Sequence, residues 1–336
     1  MKKNKKRILI TGGMGFIGHN LAISLKKDNY PVKIIDSLQI NNLISLKTSP
    51  EEYPNPKITK KFLMDRLKLI KQKKIIFDKI DARDYHKLCK SVDKFNPDVV
   101  IHLAAVSHAD KSNKTPHTTF DHSLRTLENA LDATKNKNVH FIYFSSSMVY
   151  GNFKKDIVTE KEVCNPIGIY GTLKLAGEMI VKSYNQVFGL KYTIVRPSAL
   201  YGERCISRRV GQIFIENLIQ GKEIMIKGSP SQRLDFTYID DFVHGIKRII
   251  QSKNSINQVF NITFGSSESI NNMIKILKKN FSNVKINYKK QDKLVPKRGT
   301  LSTKKAEKLI GYKPKYNLFK GYGRYVSWYK KQNFFN

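Results

Sequence analysis

Tyr170 and Lys174 lie four positions apart in a stretch whose apolar spacing predicts a helix that ends before Gly189. Positions i and i+4 share a helix face, with Cβ atoms about 5–6 Å apart. A lysine ammonium beside a tyrosine lowers the pKa of the phenol and makes its phenolate available as a base. The same spacing also arises by chance on amphipathic surface helices, so the pair needs support from its surroundings.

A second group of hydroxyls follows a predicted strand in FSSSMVYG, residues 144–151. One of its three serines could hydrogen-bond a substrate oxygen, although a serine run is also compatible with a plain polar turn. His102 and His108 stand near the end of the preceding predicted strand. Both are interpreted as structural residues, because a lone histidine carries little information about catalysis.

A glycine-rich turn near the N-terminus predicts a dinucleotide site. Gly12, Gly15 and Gly18 stand between a predicted strand and a predicted helix, where glycines permit a tight turn and close approach to a pyrophosphate. Asp36 closes the second strand; an acid there binds the ribose hydroxyls of NAD and repels a 2′-phosphate, which favours NAD over NADP. Asp81 is predicted at the adenine edge. The other residues predicted to bind the cofactor are Phe16, Ile17, Ala82, Leu103, Ala104 and Ala105.

Short apolar runs alternate with helical patterns along the chain, which predicts an α/β fold with a parallel sheet and crossover helices. Several runs lack polar alternation, as expected of strands covered on both faces. The last third of the chain mixes helical patterns with turn signals and predicts a smaller second domain. The predicted strands are Ile8–Ile10, Val32–Ile35, Ile75–Phe77, Val99–Leu103, His140–Phe144, Tyr192–Val195, Phe236–Ile239 and Val259–Ile262.

One connection in this pattern is unusually long. Leu38–Lys74 joins the second and third predicted strands and contains the proline-rich SPEEYPNP and an amphipathic stretch, Phe62–Ile70. A connection of this length is more often functional or partner-contacting than a plain turn, and the sequence assigns it no role.

Composition sets further limits on this chain of 336 residues. No apolar run approaches the ~18 residues that a membrane helix needs, and Ile8–Ile10 is too short for a signal peptide, so we expect a cytoplasmic protein without a membrane partner. The three cysteines, Cys89, Cys164 and Cys205, lie far apart and predict neither a disulfide framework nor a zinc site. No metal is expected.

The net charge of +34 fits either a polyanionic partner such as nucleic acid or an ordinary surface rich in lysine. The lysines are scattered through every segment, and no dense basic run is interleaved with aromatic residues. This distribution favours the second interpretation and predicts no specific nucleic-acid partner. The charge would still attract an anionic substrate such as a sugar diphosphate.

Six motifs together resemble one family. TGGMGFIG, HLAA, SSSMVYG, YGTLK, RPSALYG and LDFTYIDD are similar, in this order, to the extended short-chain dehydrogenase/reductase family of nucleotide-sugar epimerases and dehydratases. The resemblance implies a doubly wound Rossmann domain with tightly held NAD⁺, predicted over 1–196 and 237–262. It also implies a smaller C-terminal α/β domain for the nucleotide sugar, predicted over 197–236 and 263–336. Family members oxidise a sugar hydroxyl, usually at C4.

The resemblance also implies roles for individual residues. The catalytic hydroxyl of the family lies four positions before the tyrosine of VYG, which is Ser146 here, and Tyr170 and Lys174 match the base and its helper. The resemblance also implies that Tyr170 and Lys174 bind the cofactor, with Lys174 holding the nicotinamide ribose. Pro197 and Ser198 would line the nicotinamide pocket. The residues expected to bind the substrate are Ser146, Ser147, Arg209, Arg233 and Arg298.

Arg298 resembles the arginine that holds the substrate diphosphate, but three neighbouring features depart from the family pattern. Ala199 stands where RPxNxYG often has asparagine, and His122 replaces an asparagine common in the helix after HLAA. Leu234 stands where an arginine usually precedes DF, with Arg233 one position earlier. We therefore expect the diphosphate to be held differently.

The residues after Ser146 bear on the reaction. The dehydratases of the family carry an Asp-Glu pair there and a decarboxylase carries an acid at the second position, whereas this chain has Ser147 and Met148. Without an extra acid or base, the simplest outcome is hydride return to the other face of the keto sugar. The resemblance therefore favours a nucleotide-sugar 4-epimerase acting on a UDP-sugar. A 4,6-dehydratase, a UDP-glucuronate decarboxylase and a non-catalytic NAD-binding regulator stay open.

Two further features carry expectations about binding. Arg204, Arg208 and Arg209 form a cluster that could bind a diphosphate or a sugar carboxylate, or could be an exposed loop. Two predicted helices, Thr118–Lys135 and Tyr170–Gly189, carry apolar outer positions. In the family the matching helices pair as a four-helix bundle, so we expect a homodimer.

Overall fold

The computed structural model describes residues 5–107, 109–290, 294–332 and 334. Its strands are short. In chain order they are β1 (Ile8–Thr11), β2 (Val32–Ile35), β3 (Ile76–Asp78), β4 (Val99–His102), β5 (His140–Phe144), β6 (Ile157–Val158), β7 (Lys191–Arg196), β8 (Leu200–Tyr201), β9 (Ile224–Lys227), β10 (Arg233–Leu234), β11 (Thr237–Tyr238), β12 (Gln258–Asn261), β13 (Glu268–Ser269), β14 (Ile286–Lys289) and β15 (Thr300–Leu301).

Seven parallel strands form the central sheet in the order β12-β7-β5-β4-β1-β2-β3. Most residues of its middle strands are apolar because both faces are covered: Ile8 and Ile10 belong to one core cluster, and Leu9 belongs to the other. The strand order reverses between β1 and β4, and in such sheets ligands bind at the carboxyl ends of the strands beside this point. The predicted Rossmann class of α/β fold is confirmed.

The helices cover this sheet and build the C-terminal part of the chain. Across the described residues, none is both long and apolar enough to cross a membrane. In chain order they are α1 (Phe16–Lys27), α2 (Leu43–Thr48), α3 (Pro56–Gln72), α4 (Tyr85–Phe95), α5 (Ala109–Lys114), α6 (Pro116–Phe120), α7 (Thr126–Asp132), α8 (Gly168–Phe188), α9 (Val210–Ile219), α10 (Ile239–Gln251), α11 (Ile270–Asn280), α12 (Lys304–Ile310) and α13 (Leu318–Lys330).

Helix α8 confirms the helix predicted around Tyr170 and Lys174. It ends where Gly189 adopts a φ of +69°, a left-handed conformation that glycine adopts without steric cost. The helix predicted over 118–135 is instead interrupted, because a π-helical turn at Asp121–Arg125 separates α6 from α7.

The strand predicted at Phe236–Ile239 is also shorter in the structure. It is reduced to β11, which pairs with β8 and not with the central sheet. Ile239 begins α10, whose first turn carries Asp240 and Asp241, and acidic residues stabilise the positive end of a helix. The strand predicted at Val259–Ile262 is β12, the edge strand of the central sheet.

Four two-stranded sheets lie beside the central sheet in the described residues. The pairs β9–β14 and β10–β13 fall within the ranges predicted for the substrate domain. The pairs β8–β11 and β6–β15 each join a strand of one predicted domain to a strand of the other. The two ranges are therefore interleaved, and their division into domains stays a prediction.

The long connection between β2 and β3 is mostly helical. Residues 38–72, which we call the connecting segment, contain α2, a short helical turn at Pro50–Glu52 and α3. Helix α3 buries Phe62 against α13, with its ring centroid 5.1 Å from Trp328 and 5.4 Å from Tyr329. The connecting segment is therefore packed against the C-terminal helix.

Replacing Phe62 with alanine should lower the free energy of unfolding by about 3–5 kcal/mol, because it opens a cavity between α3 and α13. Met64 lies on the same helix and is 49% exposed. The control Met64→Ala should therefore change this free energy by less than about 0.5 kcal/mol. Urea unfolding of the two variants measures the difference, and equal losses would contradict the packing described for α3.

Candidate active site

A cavity of about 630 Å³ opens at the carboxyl ends of β1, β4, β5 and β7. It extends from the glycine-rich turn before α1 to α9 and β9, and it is large enough for a small-molecule ligand. Within the part of the chain that the structure describes, no group of three His, Cys, Asp or Glu side chains is placed to hold a metal ion.

The glycine-rich turn leaves no room for a side chain at Gly12 or Gly18. A Cβ atom on Gly12 would lie 2.6 Å from the backbone nitrogen of Ala104, and one on Gly18 would lie 2.5 Å from the Cα atom of Gly13. Gly12 also has a φ of +70°, which disfavours any other residue. The turn is therefore pressed against the end of β4 and against the start of α1.

Helix α1 begins directly at this turn, beside the cavity. Gly15 is its N-cap and provides no side-chain cap, so no side chain competes with a ligand for the first N–H groups of the helix, which include those of Phe16 and Ile17. All three residues line the cavity. A helix N-terminus of this kind binds phosphate oxygens, so the turn fits the pyrophosphate of a dinucleotide.

Asp36 lines the cavity at the end of β2. Its carboxylate accepts hydrogen bonds from the N–H groups of Met14, at 2.9 Å, and Leu38, at 2.7 Å. Burial raises the pKa of Asp36, while the two N–H groups and the Arg66 charge oppose the rise. The acid is therefore fixed beside the glycine-rich turn, where the ribose hydroxyls of NAD are expected.

Asp81 and Ala82 line the same end of the cavity, but the Asp81 carboxylate is engaged by Arg83. Arg83 Nη2 donates to Asp81 Oδ2 at 2.7 Å, and its Nη1 donates to Asp121 in the π-helical turn. Burial alone would raise the pKa of Asp81, but the Arg83 guanidinium outweighs it and lowers the pKa. Contact between this carboxylate and adenine stays a prediction.

The end of β4 supplies the small residues that were predicted there. His102 within β4 bonds to Thr11 Oγ1 through Nδ1 at 2.9 Å. Burial and the nearby Lys174 charge lower the pKa of His102 to about 3, which keeps it neutral and supports a structural role. His108 lies outside the described residues. The residues after β4 that line the cavity include Leu103, Ala104 and Ala105.

Residues 144–151, which we call the catalytic turn, lie across the cavity from the glycine-rich turn. The N–H of Ser145 donates to β7 at 2.8 Å, and that of Ser147 donates to the carbonyl of Pro197 at 2.9 Å. Ser146 Oγ accepts from the N–H of Met148 at 3.2 Å. In the described residues Ser146 Oγ has no other hydrogen-bond partner, so its proton is available to a ligand.

Tyr170 and Lys174 both line the cavity from α8, as their spacing predicted. Lys174 Nζ donates to the carbonyl of Phe144 at 2.8 Å and lies 5.3 Å from the ring centroid of Tyr143. Burial lowers the pKa of Lys174 to about 8, and the Glu178 carboxylate opposes that shift. The lysine is thus held against the sheet beside the catalytic turn.

One buried ion pair holds the catalytic turn between α8 and β7. Glu178 lies 2.6 Å from Arg196 Nη2 and 2.8 Å from its Nε, and it accepts a hydrogen bond from Ser145 Oγ. Arg196 Nη1 donates to the Tyr150 hydroxyl at 2.9 Å, and that hydroxyl donates to Asn261 at 2.8 Å. Ser145 and Tyr150, near the two ends of the catalytic turn, are therefore both hydrogen-bonded to this ion pair.

Two arginines line the substrate end of the cavity. Arg298 Nη1 lies 3.3 Å from Ser147 Oγ and 3.5 Å from Met148 Sδ. Burial and the charge of Arg209 lower the pKa of Arg298 to about 10, and Tyr170 opposes the shift. Two cations thus face the cavity near the catalytic turn, where an anionic ligand would relieve their repulsion.

Arg233 is not brought to this cavity. Antiparallel pairing of β10 with β13 places Arg233 opposite Ser269 and Leu234 opposite Glu268. Because side chains alternate along a strand, Leu234 lines the cavity while Arg233 is exposed and donates to Ser267. Arg233 therefore lies outside the lining of the cavity, and its role in substrate binding stays a prediction.

The departures from the family pattern also lie at the cavity. Ala199 follows Pro197 and Ser198 there and has a φ of +35°, in a region that asparagine tolerates better than alanine. His122 reaches the cavity from the π-helical turn, and burial, aided by the Arg83 charge, lowers its pKa. Of the predicted arginine cluster, Arg208 and Arg209 line the cavity and Arg204 does not.

Two residues near the cavity were not predicted from the sequence, although each had a signal there. Glu178 continues the four-residue spacing of Tyr170 and Lys174 along the same helix. Arg66 lies four residues after Phe62, on the apolar face of α3, where a charged side chain is unusual.

An all-parallel sheet with a glycine-rich turn at its switch point, and a tyrosine-lysine pair beside a serine at a strand end, define a dinucleotide-binding enzyme of the short-chain dehydrogenase/reductase type. A model of the NAD-dependent epimerase/dehydratase family matches residues 8–263, and the chain belongs to this family. The family predicted from the motifs and the NAD cofactor are confirmed.

Similar proteins match most of the chain. A Methanocaldococcus jannaschii protein, provisionally named UDP-glucose 4-epimerase, is 32% identical over 97% of this chain and 99% of its own. A dTDP-D-glucose 4,6-dehydratase from Dictyostelium discoideum is 31% identical over 80% of this chain and 60% of its own. The crystal structure of a UDP-glucuronic acid 4-epimerase from Bacillus cereus, with UDP-glucuronic acid and NAD, matches with a TM-score of 0.85 and 28% identity, covering 97% and 99% of the chains.

The lowered pKa of Lys174 should make stability depend on pH. The unfolded chain keeps this proton up to a pKa of 10.5, whereas the folded chain releases it at about 8. Between these values the unfolded state binds more protons, so the free energy of unfolding rises with pH, by up to about 3 kcal/mol from this group. Lys174→Met should lose this rise.

Urea unfolding at about pH 7.5 and about pH 9.5 measures the effect as a difference between the parent and the variant. Lys182→Met is the control, because Lys182 is exposed on the same helix. An equal change with pH in the parent and in Lys174→Met would show that the pKa of Lys174 is not lowered by burial.

Proposed function

We propose that the protein is a nucleotide-sugar 4-epimerase that acts on a UDP-sugar through a 4-keto sugar. The observation that carries this proposal is the composition of the catalytic turn. Ser147 and Met148 follow Ser146 at the cavity, and they contribute a hydroxyl and a thioether. Neither group is the acid or base that elimination of water or loss of a carboxylate requires.

Three side chains divide the chemistry. Tyr170, as the phenolate, takes the proton of the sugar 4-hydroxyl, and it returns a proton in the reverse step. Ser146 hydrogen-bonds the same oxygen while it becomes a carbonyl. Lys174, which lines the cavity from the same helix, would hold the nicotinamide ribose of the bound cofactor. When bound, NAD supplies the hydride acceptor for C4 and the donor for the second face.

The acids that line the cavity support this assignment by their positions. In the described residues they are Asp36, Asp81 and Asp110. The first two lie at the cofactor end with the partners given above, and Asp110 is exposed on α5, outside the catalytic turn. Elimination at C5 and C6 needs an acid and a base close to those carbons, so this arrangement favours epimerisation over dehydration and decarboxylation.

Positive charge at the substrate end supports a diphosphate. Arg209 and Arg298 face the cavity, and a guanidinium binds phosphate oxygens through paired hydrogen bonds. The similar Bacillus cereus enzyme is a UDP-glucuronic acid 4-epimerase, which supports a UDP-sugar as the substrate class. The Dictyostelium relative is a dehydratase, so dehydration is the second outcome to be tested.

Purified protein should interconvert a UDP-sugar and its 4-epimer, and Tyr170→Phe should lower kcat by about 10²–10⁴-fold because the base is lost. A panel of UDP-glucose, UDP-glucuronic acid and UDP-N-acetylglucosamine, analysed by NMR, measures the products. Tyr184→Phe is the control, because Tyr184 lies on the same helix but outside the cavity. The NAD content of each variant, measured in parallel, shows whether a loss of kcat comes from the missing base or from lost cofactor.

The other outcomes separate the alternatives. A 4-keto-6-deoxy sugar would identify a dehydratase, and release of carbon dioxide from UDP-glucuronic acid would identify a decarboxylase. NAD binding with no product from any sugar, unaltered by Tyr170→Phe, would point to a regulator.

We also propose that the protein forms a homodimer through the outer side of α8. Met179 and Val187 on that helix are 63% and 71% exposed, and Phe120 on nearby α6 is 55% exposed. Apolar side chains grouped on one surface are unfavourable in water, and a second copy of the same surface would cover them.

Met179→Lys should weaken the dimer by about tenfold or more, because it introduces a charge into an apolar interface. Light scattering over a concentration series measures the change. Tyr288→Lys is the matched control, since Tyr288 is similarly exposed, at 61%, on β14 in the C-terminal part of the chain. A dimer of unchanged strength in Met179→Lys would place the interface elsewhere.

A further inference from the structure

The connecting segment contacts both sides of the cavity, although the proposed chemistry makes no use of it. Asn42 and Arg66 donate hydrogen bonds to the carbonyl of Met14, at 3.4 and 3.2 Å, which fastens the segment to the glycine-rich turn. Arg66 also donates to the carbonyl of Arg204 at 2.6 Å. Its side chain is buried, so it links the cofactor end to the loop after β8 through the interior.

Glu52 in the connecting segment joins two loops that border the cavity. Its carboxylate accepts a hydrogen bond from Lys111 Nζ at 2.9 Å, on the helix that follows β4. Arg208, in the loop after β8, donates to the carbonyl oxygen of Glu52 at 2.8 Å and lies 3.4 Å from its carboxylate. We call Glu52, Lys111 and Arg208 the charge bridge.

A second set of contacts runs beside the charge bridge. Asn41 Nδ2 donates to Ser107 Oγ at 3.0 Å, and Asn41 Oδ1 accepts from Arg208 Nη2 at 3.0 Å. These three residues line the cavity. The connecting segment, the residues after β4 and the loop after β8 are therefore joined by side-chain contacts on this side of the cavity.

Two of these residues, Asn41 and Arg208, have left-handed backbone conformations, which are unfavourable unless surrounding contacts stabilise them. Asn41 has a φ of +48° and Arg208 a φ of +53°, in the left-handed region. Such conformations cost about 1 kcal/mol or more each and persist where surrounding contacts fix them. The hydrogen bonds of these two residues to each other, and of Arg208 to Glu52, supply that stabilisation.

The side chains of the charge bridge are partly buried from water, which strengthens their electrostatic attraction. The exposed side-chain fractions are 35% for Glu52, 22% for Lys111 and 15% for Arg208. Burial alone would raise the pKa of Glu52, but the two cations outweigh it and lower the pKa, so the carboxylate is ionised at neutral pH. A carboxylate hydrogen-bonded to two partly buried cations is stronger than a solvent-exposed pair.

We propose that the charge bridge retains NAD by holding the connecting segment across the cofactor end of the cavity, and that it opens before NAD leaves. An enzyme that returns its hydride to the same substrate regenerates NAD⁺ in every cycle and has no need to exchange it. NAD release is independent of which sugar reaction the protein catalyses, so failure of the epimerase assignment would leave this retention intact.

Glu52→Gln should release NAD about fivefold to tenfold faster than the parent, because both cations lose their ionised partner while the side-chain shape is kept. Protein loaded with radiolabelled NAD and chased with excess unlabelled NAD measures the rate. Glu51→Gln is the matched control, because Glu51 is the adjacent acid and is exposed. It should release NAD at the parent rate.

Salt and a second variant test the same contact independently. Release from the parent should become faster as salt screens the partly exposed charges, and release from Glu52→Gln should depend less on salt. Lys111→Met breaks the bridge from the other side, so the double variant should release NAD more slowly than the product of the two single effects predicts. Equal release rates in the parent and in Glu52→Gln, or the same acceleration in Glu51→Gln, would overturn the proposal.

Discussion

The buried ion pair between Glu178 and Arg196 is the constraint on which the active site depends. Two charges removed from water are tolerated only when their remaining hydrogen-bonding capacity is satisfied. Here the hydroxyl of Ser145 satisfies the carboxylate, and the guanidinium donates to the hydroxyl of Tyr150. Because one charge belongs to α8, the other to β7 and the two hydroxyls to the catalytic turn, a single electrostatic requirement sets the relative positions of three elements. Ser146 lies within the turn thus fixed, and Tyr170 and Lys174 lie on the helix that holds it.

The close packing of α8 against the central sheet, which the ion pair helps to hold, determines the environment of Lys174. A Cβ atom on Gly177 would lie 2.1 Å from the hydroxyl of Tyr143, so only glycine allows the helix to approach β5 this closely. Lys174 lies one turn earlier, and the same approach removes its ammonium from water and brings it to the carbonyl of Phe144. The low pKa of Lys174 is therefore a consequence of how the helix packs. Sequence spacing places the lysine beside the tyrosine, but the contact of helix with sheet determines its environment.

Local spacing explains which parts of the site could be predicted. The glycine-rich turn and the Tyr170–Lys174 pair depend on residues close together in the chain, so their sequence patterns were sufficient to predict that these residues lie at one cavity. The side chain of β10 that faces the cavity depends on pairing with residues 268–269, which no local pattern specifies, and Leu234 lines the cavity where Arg233 had been expected. The connecting segment was recognised as unusual, but the partners of Glu52 come from loops distant in the chain.

The order of strands in the central sheet has a consequence for synthesis of the protein. The strand made first, β1, lies in the middle, whereas the outermost strand beside β7 is β12, which the ribosome delivers late. Until then the nascent sheet presents the main-chain N–H and C=O groups of β7 as an open edge, which is a template for pairing with another chain. Translation through Gln258–Asn261 is thus the step that covers the edge of β7, and it leaves the shorter strand β12 as the edge on this side of the sheet. A chain stalled before that point would contain six of the seven strands of the central sheet, with the edge of β7 unpaired. Such a chain would be a substrate for chaperones and proteases.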